Sequence, residues 1–267
     1  MQRAALEIAL LAPIAGILGA QIVLRHLAFF THGVGAAAFP GLVLAGPAGV
    51  PPALAALGVG GSFAALLQGL RRRAGLTADA ATALLLVTAL AIGIVLASDV
   101  FDSGGEVDQL LFGSLLGVGR EELAFTAAAL ALVLVGAALC RRTWIATGFD
   151  AASSPSLGLR VGVSEWALTA AIAIAVIASV DAVGSLLVSA VFILPAATAR
   201  LFSASVVALE LGAAGLALLQ GLAGLLIAYE LDAPPGATIA VLGGAVFATA
   251  LCIRWFRERR PPVGDPA

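Results

Sequence analysis

RRTWIATGFDAASSPSLGLR, residues 141–160, is the stretch that decides how the rest of this chain is read. It is the one long polar interruption with Arg at both ends, with five apolar segments before it and four after it. The segments run near the roughly 20 residues that carry a helix across a ~30 Å hydrocarbon core. Lipid offers no partner to a backbone N–H or C=O, so helices are the open-ended solution there. The stretch therefore reads as the place where a membrane-embedded chain reaches into the cytoplasm and touches a partner.

Working outward, the apolar segments before it fall at about 4–24, 26–46, 52–70, 79–98 and 122–140. Those after it fall at about 161–180, 183–202, 205–229 and 237–256. Of 267 residues, 61% are hydrophobic and 11% charged. A soluble domain carries about a quarter charged residues and cannot hide so much apolar surface. The expected fold is an all-α, polytopic membrane bundle of about nine transmembrane helices, or eight if one segment merges with its neighbour. Residues 1–256 then form one domain, and 257–267, with Pro261-Pro262, form a short cytoplasmic tail. The N-terminal run resembles a signal peptide, but Glu7 and Pro13 interrupt it and its apolar character continues, so it is a retained span.

Charge placement sets the orientation. All 14 basic residues are Arg. With Arg71–Arg73 inside and the spans alternating, only Arg3 and Arg120 fall outside. The acidic loops at 99–108 and 230–232 also fall outside. By the positive-inside rule the N-terminus is outside and the C-terminus cytoplasmic. Cys140 and Cys252 read as free thiols, because no spaced extracellular set exists to build a disulfide framework. Abundant Gly, 31 residues, suits helices that approach closely in lipid.

Ionisable groups in or beside the spans are Glu7, His26, His32, Glu165, Asp181 and Glu210. Such groups are costly in hydrocarbon and tend to face a cavity or a partner. His32 precedes Pro40-Gly41 in the second segment, and a broken helix beside a polar group commonly lines a transport path. Imidazole also suits zinc and related metals. The plain alternative is a core histidine satisfied by a carbonyl. His26 lies on another face and reads as interfacial. Asp181 reads as a helix cap beside a Val183-Gly184 turn, Ser164-Glu165 as a capped terminus, and Glu210 as an ion-paired or snorkelling carboxylate near Arg200. No GxxxxGK[ST], HExxH or Cys/His cluster is present, so neither ATP binding by a P-loop nor an enzyme site is expected. No partner nucleic acid and no stably bound cofactor are expected.

Five blocks in order carry a resemblance to a known family. They are GILGAQIVLRHLAFFTHGVGAAAFPGLVLA (16–45), LLFGSLLGVGREEL (110–123), FDAASSPSLGLRVG (149–162), VGSLLVSAVFILPAATARL (183–201) and GLLIAYELDAPPGATIAVL (224–242). Together they resemble the zinc/manganese permease family of ABC transporters, the membrane subunits of binding-protein-dependent metal importers. The resemblance implies a second copy of the chain, a cytoplasmic ATP-binding subunit, an extracytoplasmic metal-binding protein and a plasma (inner) membrane location. It implies that 141–160 forms a coupling helix seated on the ATPase, with Trp144, Phe149, Asp150, Ala152 and Gly158 as its coupling residues. A short helix held between two spans can transmit a rigid-body push. It also places Pro40, Gly41 and Pro195 on the pathway. One departure bears on the cargo. Where the family has Asp and, four residues later, His, this chain has His32 and Ala36. Gain of imidazole and loss of carboxylate favour zinc as the transported ion, since manganese prefers oxygen ligands. Manganese or iron import is the alternative in the same class. An ATP-independent secondary transporter is the more distant one, and needs an inverted repeat and intramembrane carboxylates that are scarce here.

Overall fold

A computed structural model describes residues 1–73, 78–100, 111–150 and 161–258. Among the described residues there are nine α-helices and no strand. They are α1 Gln2–Leu24, α2 Ala28–Ala48, α3 Pro52–Arg73, α4 Ala78–Val95, α5 Arg120–Phe149, α6 Val161–Val183, α7 Val188–Arg200, α8 Val206–Leu231 and α9 Pro235–Glu258. Seven helices are long and apolar enough to cross a membrane. The chain is thus a multi-pass, all-helical membrane bundle. Exposed Leu132, Val135 and Leu139 on α5, Leu219 on α8 and Val241 on α9 would be a liability in water and are the expected lipid-facing surface.

The helices stop where backbone chemistry stops them. Gly49, at φ 63°, closes α2 ahead of Pro51-Pro52. Ser205 caps α8, its Oγ accepting from the Ala208 N–H at 3.2 Å. Asp232 ends α8 in the left-handed region, and Pro235 opens α9, where a missing N–H costs nothing.

α1 is the central rod. Its Glu7, Ile14, Leu18 and Ile22 are fully buried against α5, α7 and α8. The rod packs backbone to backbone: a Cβ on Gly19 would stand 2.5 Å from the Phe192 carbonyl of α7.

The bundle has two distinct poles. At one, the C-terminal ends of α1, α5 and α7 meet with Arg25, Arg141 and Arg200. At the other, three backbones cross at Gly113, Gly184 and Gly236. A Cβ on Gly113 would lie 2.4 Å from the Gly184 nitrogen, and one on Gly236 would lie 2.3 Å from the Val183 oxygen. Gly113 and Gly184 both have positive φ, 77° and 97°. Here the Leu115–Gly117 turn folds into the bundle, with Leu115 1% exposed. The Ser114 N–H donates to the Asp181 carbonyl at 3.0 Å, and the Leu186 N–H to the Leu111 carbonyl at 3.3 Å.

Four expectations change. The span expected at 183–202 is instead a turn at 184–187 followed by α7, whose 13 residues reach only about 20 Å. The left-handed Gly184 separates α7 from α6. Asp181 lies inside the last turn of α6 rather than between segments. The stretch 141–160 does not begin with a separate short helix, because α5 continues unbroken from Arg120 to Phe149. No Gly or Pro interrupts residues 137–147, so nothing ends the helix at the membrane boundary. The tail expected from Arg257 begins as the last two residues of α9.

Candidate functional site

His32 sits in α2 where that helix faces α7. Its Nδ1 lies 3.1 Å from the Ser189 Oγ in the first turn of α7. Ser185 lies four residues earlier, in the turn before α7. Its Oγ is fully buried and has no hydrogen-bond partner. A Cβ on Gly35 would lie 2.8 Å from the Ser185 carbonyl, so the backbones nearly touch beside these groups. His32, Ser189 and Ser185 thus mark a polar seam between α2 and α7. A buried hydroxyl without a partner is unusual, and it leaves a polar site with unused capacity. Ala36, one turn on from His32, is fully buried and adds no ligand. Among the described residues no three His, Cys, Asp or Glu side chains are grouped to hold a metal ion.

The other pathway residues named from the sequence lie elsewhere. Gly41 packs α2 on α3, where a Cβ would meet the Ala55 carbonyl at 2.8 Å. Pro40 is buried beside Gly93 of α4. Pro195 lines a small void with Gln220 of α8 and Gly243 of α9, and the buried Gln220 Nε2 has no partner. None of the three is brought to His32. His26 is exposed in the α1–α2 turn at φ 57°.

The arginine pole is built from buried ties. Arg25, 10% exposed at its side chain, donates from Nη2 to the Trp144 carbonyl at 2.8 Å and to the Thr147 Oγ1 at 2.5 Å. Its Nε donates to Gln21 Oε1 at 3.3 Å, and Glu165 Oε1 lies 4.0 Å from Nη1. Burial lowers the Arg25 guanidinium from its ordinary value, and the Glu165 carboxylate opposes that shift. The Trp144 indole is 2% exposed, and its Nε1–H donates to the Ser164 carbonyl at 3.0 Å. Trp144 therefore works inside the chain, fastening α5 to α6, and its ring is not available to a partner's surface. Phe149 is 70% exposed. Asp150 is the exposed C-terminal cap of α5, its N–H bonded to the Ala146 carbonyl at 3.0 Å. Ala152 and Gly158 lie outside the described residues.

Two further carboxylates are paired within the bundle. Glu210 accepts from Arg141 Nη2 at 2.6 Å. The expected ion pair exists, but its cation is Arg141, while Arg200 donates to the Val23 carbonyl at 3.3 Å. Glu7 is fully buried, and its Oε1 accepts from the Thr126 hydroxyl at 2.7 Å. Ser164 does not cap α6, which begins three residues earlier, and its Oγ has no partner. Sequence reasoning missed Ser185, Ser189, Arg25 and Thr147. The i, i+4 spacing of the two serines was the one available signal.

A helical bundle that crosses the membrane several times, with a polar seam in its interior and a cationic pole, has the organisation of a membrane transport subunit. The chain belongs to the ABC 3 transport family, whose sequence profile matches residues 1–254. It is 28% identical over 247 residues to the manganese import system permease protein ScaB of Streptococcus parasanguinis, covering 92% of this chain and 88% of that one. It is 28% identical over 260 residues to a probable iron transport system membrane protein of Haemophilus influenzae, covering 97% and 95%. PsaBC from Streptococcus pneumoniae, solved in complex with Fab, shares the fold at a TM-score of 0.87 and 23% identity, over 97% of this chain and 95% of that one. Family membership makes the chain a permease-type membrane subunit and not an enzyme.

Proposed function

We propose that this chain is the membrane-spanning subunit of an ABC importer that moves a divalent metal ion, zinc, into the cytoplasm. The observation that carries the reading is the α2–α7 seam, where His32 Nδ1 faces Ser189 Oγ at 3.1 Å. A hydrogen bond at one imidazole nitrogen fixes ring orientation and leaves Nε2 to meet a passing cation. Imidazole without a neighbouring carboxylate suits zinc better than manganese. The names of the relatives favour a second reading, manganese or iron import.

The rest of the assembly follows from the same reading. Residues 1–256 act as one permease domain. Two copies flank the pathway. A separate cytoplasmic subunit hydrolyses ATP and bears on the arginine pole, through Phe149, Asp150 and the 151–160 segment. An extracytoplasmic binding protein delivers metal to the opposite pole. The twelve arginines that alternation puts on one side support an outside N-terminus and a cytoplasmic C-terminus in the plasma membrane.

The test is uptake of radioactive zinc and manganese by liposomes holding the full transporter. His32→Ala should lower zinc flux at least about tenfold, the scale of losing one ligand or its support. His32→Asp should shift preference towards manganese. Unchanged zinc uptake by His32→Ala would remove His32 from the pathway.

A further inference from the structure

Resting on the coupling role proposed for the chain between α5 and α6, we propose that Arg25 is a positioning residue that makes the α1–α2 corner move with the end of α5. A push delivered between α5 and α6 would then reach the helix that bears His32.

The argument starts from the acceptors of one guanidinium. Arg25 reaches Gln21 on α1, the Trp144 carbonyl and Thr147 hydroxyl on α5, and Glu165 on α6. A planar fork with five donors in a fixed geometry can hold three elements at once, and it is pre-organised where a Lys ammonium on its flexible stem is not. Trp144 adds an independent strut, its indole N–H bonded to the Ser164 carbonyl. The end of α5 and the start of α6 are therefore tied to each other and to Arg25. Residues 151–160 lie between those two ends, so force applied there acts on a fastened unit.

The second half of the path is the corner itself. It is only three residues long, Arg25 to Leu27, and two of its three amides are hydrogen-bonded back to α1. The Arg25 N–H bonds to the Gln21 carbonyl and the Leu27 N–H to the Ile22 carbonyl. The Leu27 carbonyl accepts from both the N–H and the hydroxyl of Thr31. His26, a non-glycine residue at φ 57°, sits in the left-handed region, and such a conformation persists where surrounding contacts over-determine it. α2 thus leaves a short, tied corner, and His32 follows little more than one turn into that helix. Guanidinium, corner, α2 and the His32–Ser189 contact form a continuous series of bonded elements, the physical requirement for transmission.

The experiment uses the complete transporter in liposomes, with Cys140 and Cys252 replaced by Ser. It reads zinc and manganese ions imported per ATP hydrolysed. Arg25→Gln should lower that ratio about tenfold while ATP hydrolysis persists. Thr147→Val should lower it about threefold. A covalent substitute for the clamp supplies the decisive arm. The position of a Cβ on Gly148 lies 4.0 Å from the Leu24 Cβ, within disulfide range. Leu24→Cys with Gly148→Cys should cross-link under copper-phenanthroline, and the cross-link should restore the ratio in the Arg25→Gln background. Failure to cross-link, an unchanged ratio in folded Arg25→Gln, or parallel loss of hydrolysis and uptake with no rescue by the cross-link would overturn the proposal. If the unmodified transporter moves neither ion, the metal reading fails. The clamp is then judged by whether the disulfide forms and whether Arg25→Gln alters the response of ATP hydrolysis to the permease.

Discussion

Replacing Gly184 with Ala adds one methyl group at the crossing of three backbones. That methyl would stand 2.4 Å from the Leu111 carbonyl oxygen and from the Phe112 carbonyl carbon, and 2.6 Å from the Phe112 Cα. All three are main-chain atoms and cannot swing aside as a side chain would. Ordinary contact needs about 1 Å more, so one of the two main-chain segments must move bodily, at about 1–3 kcal/mol for forced overpacking. The φ of 97° adds about 1–2 kcal/mol for an L residue. The sum is about 2–5 kcal/mol, or a fall of roughly 5–15 °C in Tm for a chain of this size. Gly58→Ala is the control: nothing lies within 4 Å of its added Cβ, and it sits inside α3. It should hold or raise Tm slightly, since Ala is the better helix former. The assay is thermal unfolding of detergent-purified protein followed by size-exclusion fluorescence. Equal Tm for the two variants would refute the reasoning, because it would mean that the crossing yields without cost.

Other outcomes follow from the buried ties. Thr126→Val removes the hydroxyl that serves Glu7 Oε1, and should cost about 1–3 kcal/mol, while Thr126→Ser should recover most of that in the same melting assay. A double-mutant cycle with Arg141→Gln and Glu210→Gln should give a coupling energy near 1 kcal/mol, because Glu210 is largely buried but Arg141 is 41% exposed. Strictly additive Tm changes in that cycle would mean that the pair contributes nothing.

The helix inventory was legible because lipid imposes a length and a composition that survive in any register. Eight of nine segments coincide with a helix to within a few residues, apart from the extension of α5 to Phe149. Segment seven differs because hydropathy is blind to a left-handed glycine: Gly184 ends α6 although the run from Ala182 to Val188 is apolar apart from Ser185. The same blindness hid the extent of α5, since RRTWIAT carries four polar side chains yet no Gly or Pro to stop a helix. Individual polar residues were legible, but their partners were not. Glu210 was expected to be paired, and which Arg it meets depends on how α5 packs on α8. The resemblance makes Trp144 a coupling residue, while the fold turns its ring inward to Ser164. His32 stood out alone, and the serine that faces it, Ser189, lies 157 positions away.

The length of α5 has a mechanical consequence. Thirty residues of uninterrupted helix make a rod about 45 Å long, roughly half as long again as the hydrocarbon layer it crosses. Such a rod barely compresses, so its far tip responds to angle. Leaning by about 5° sweeps the tip sideways by about 4 Å, the scale of a side-chain contact. Angular changes too small to disturb packing at one leaflet thus become displacements a docked protein can feel at the other.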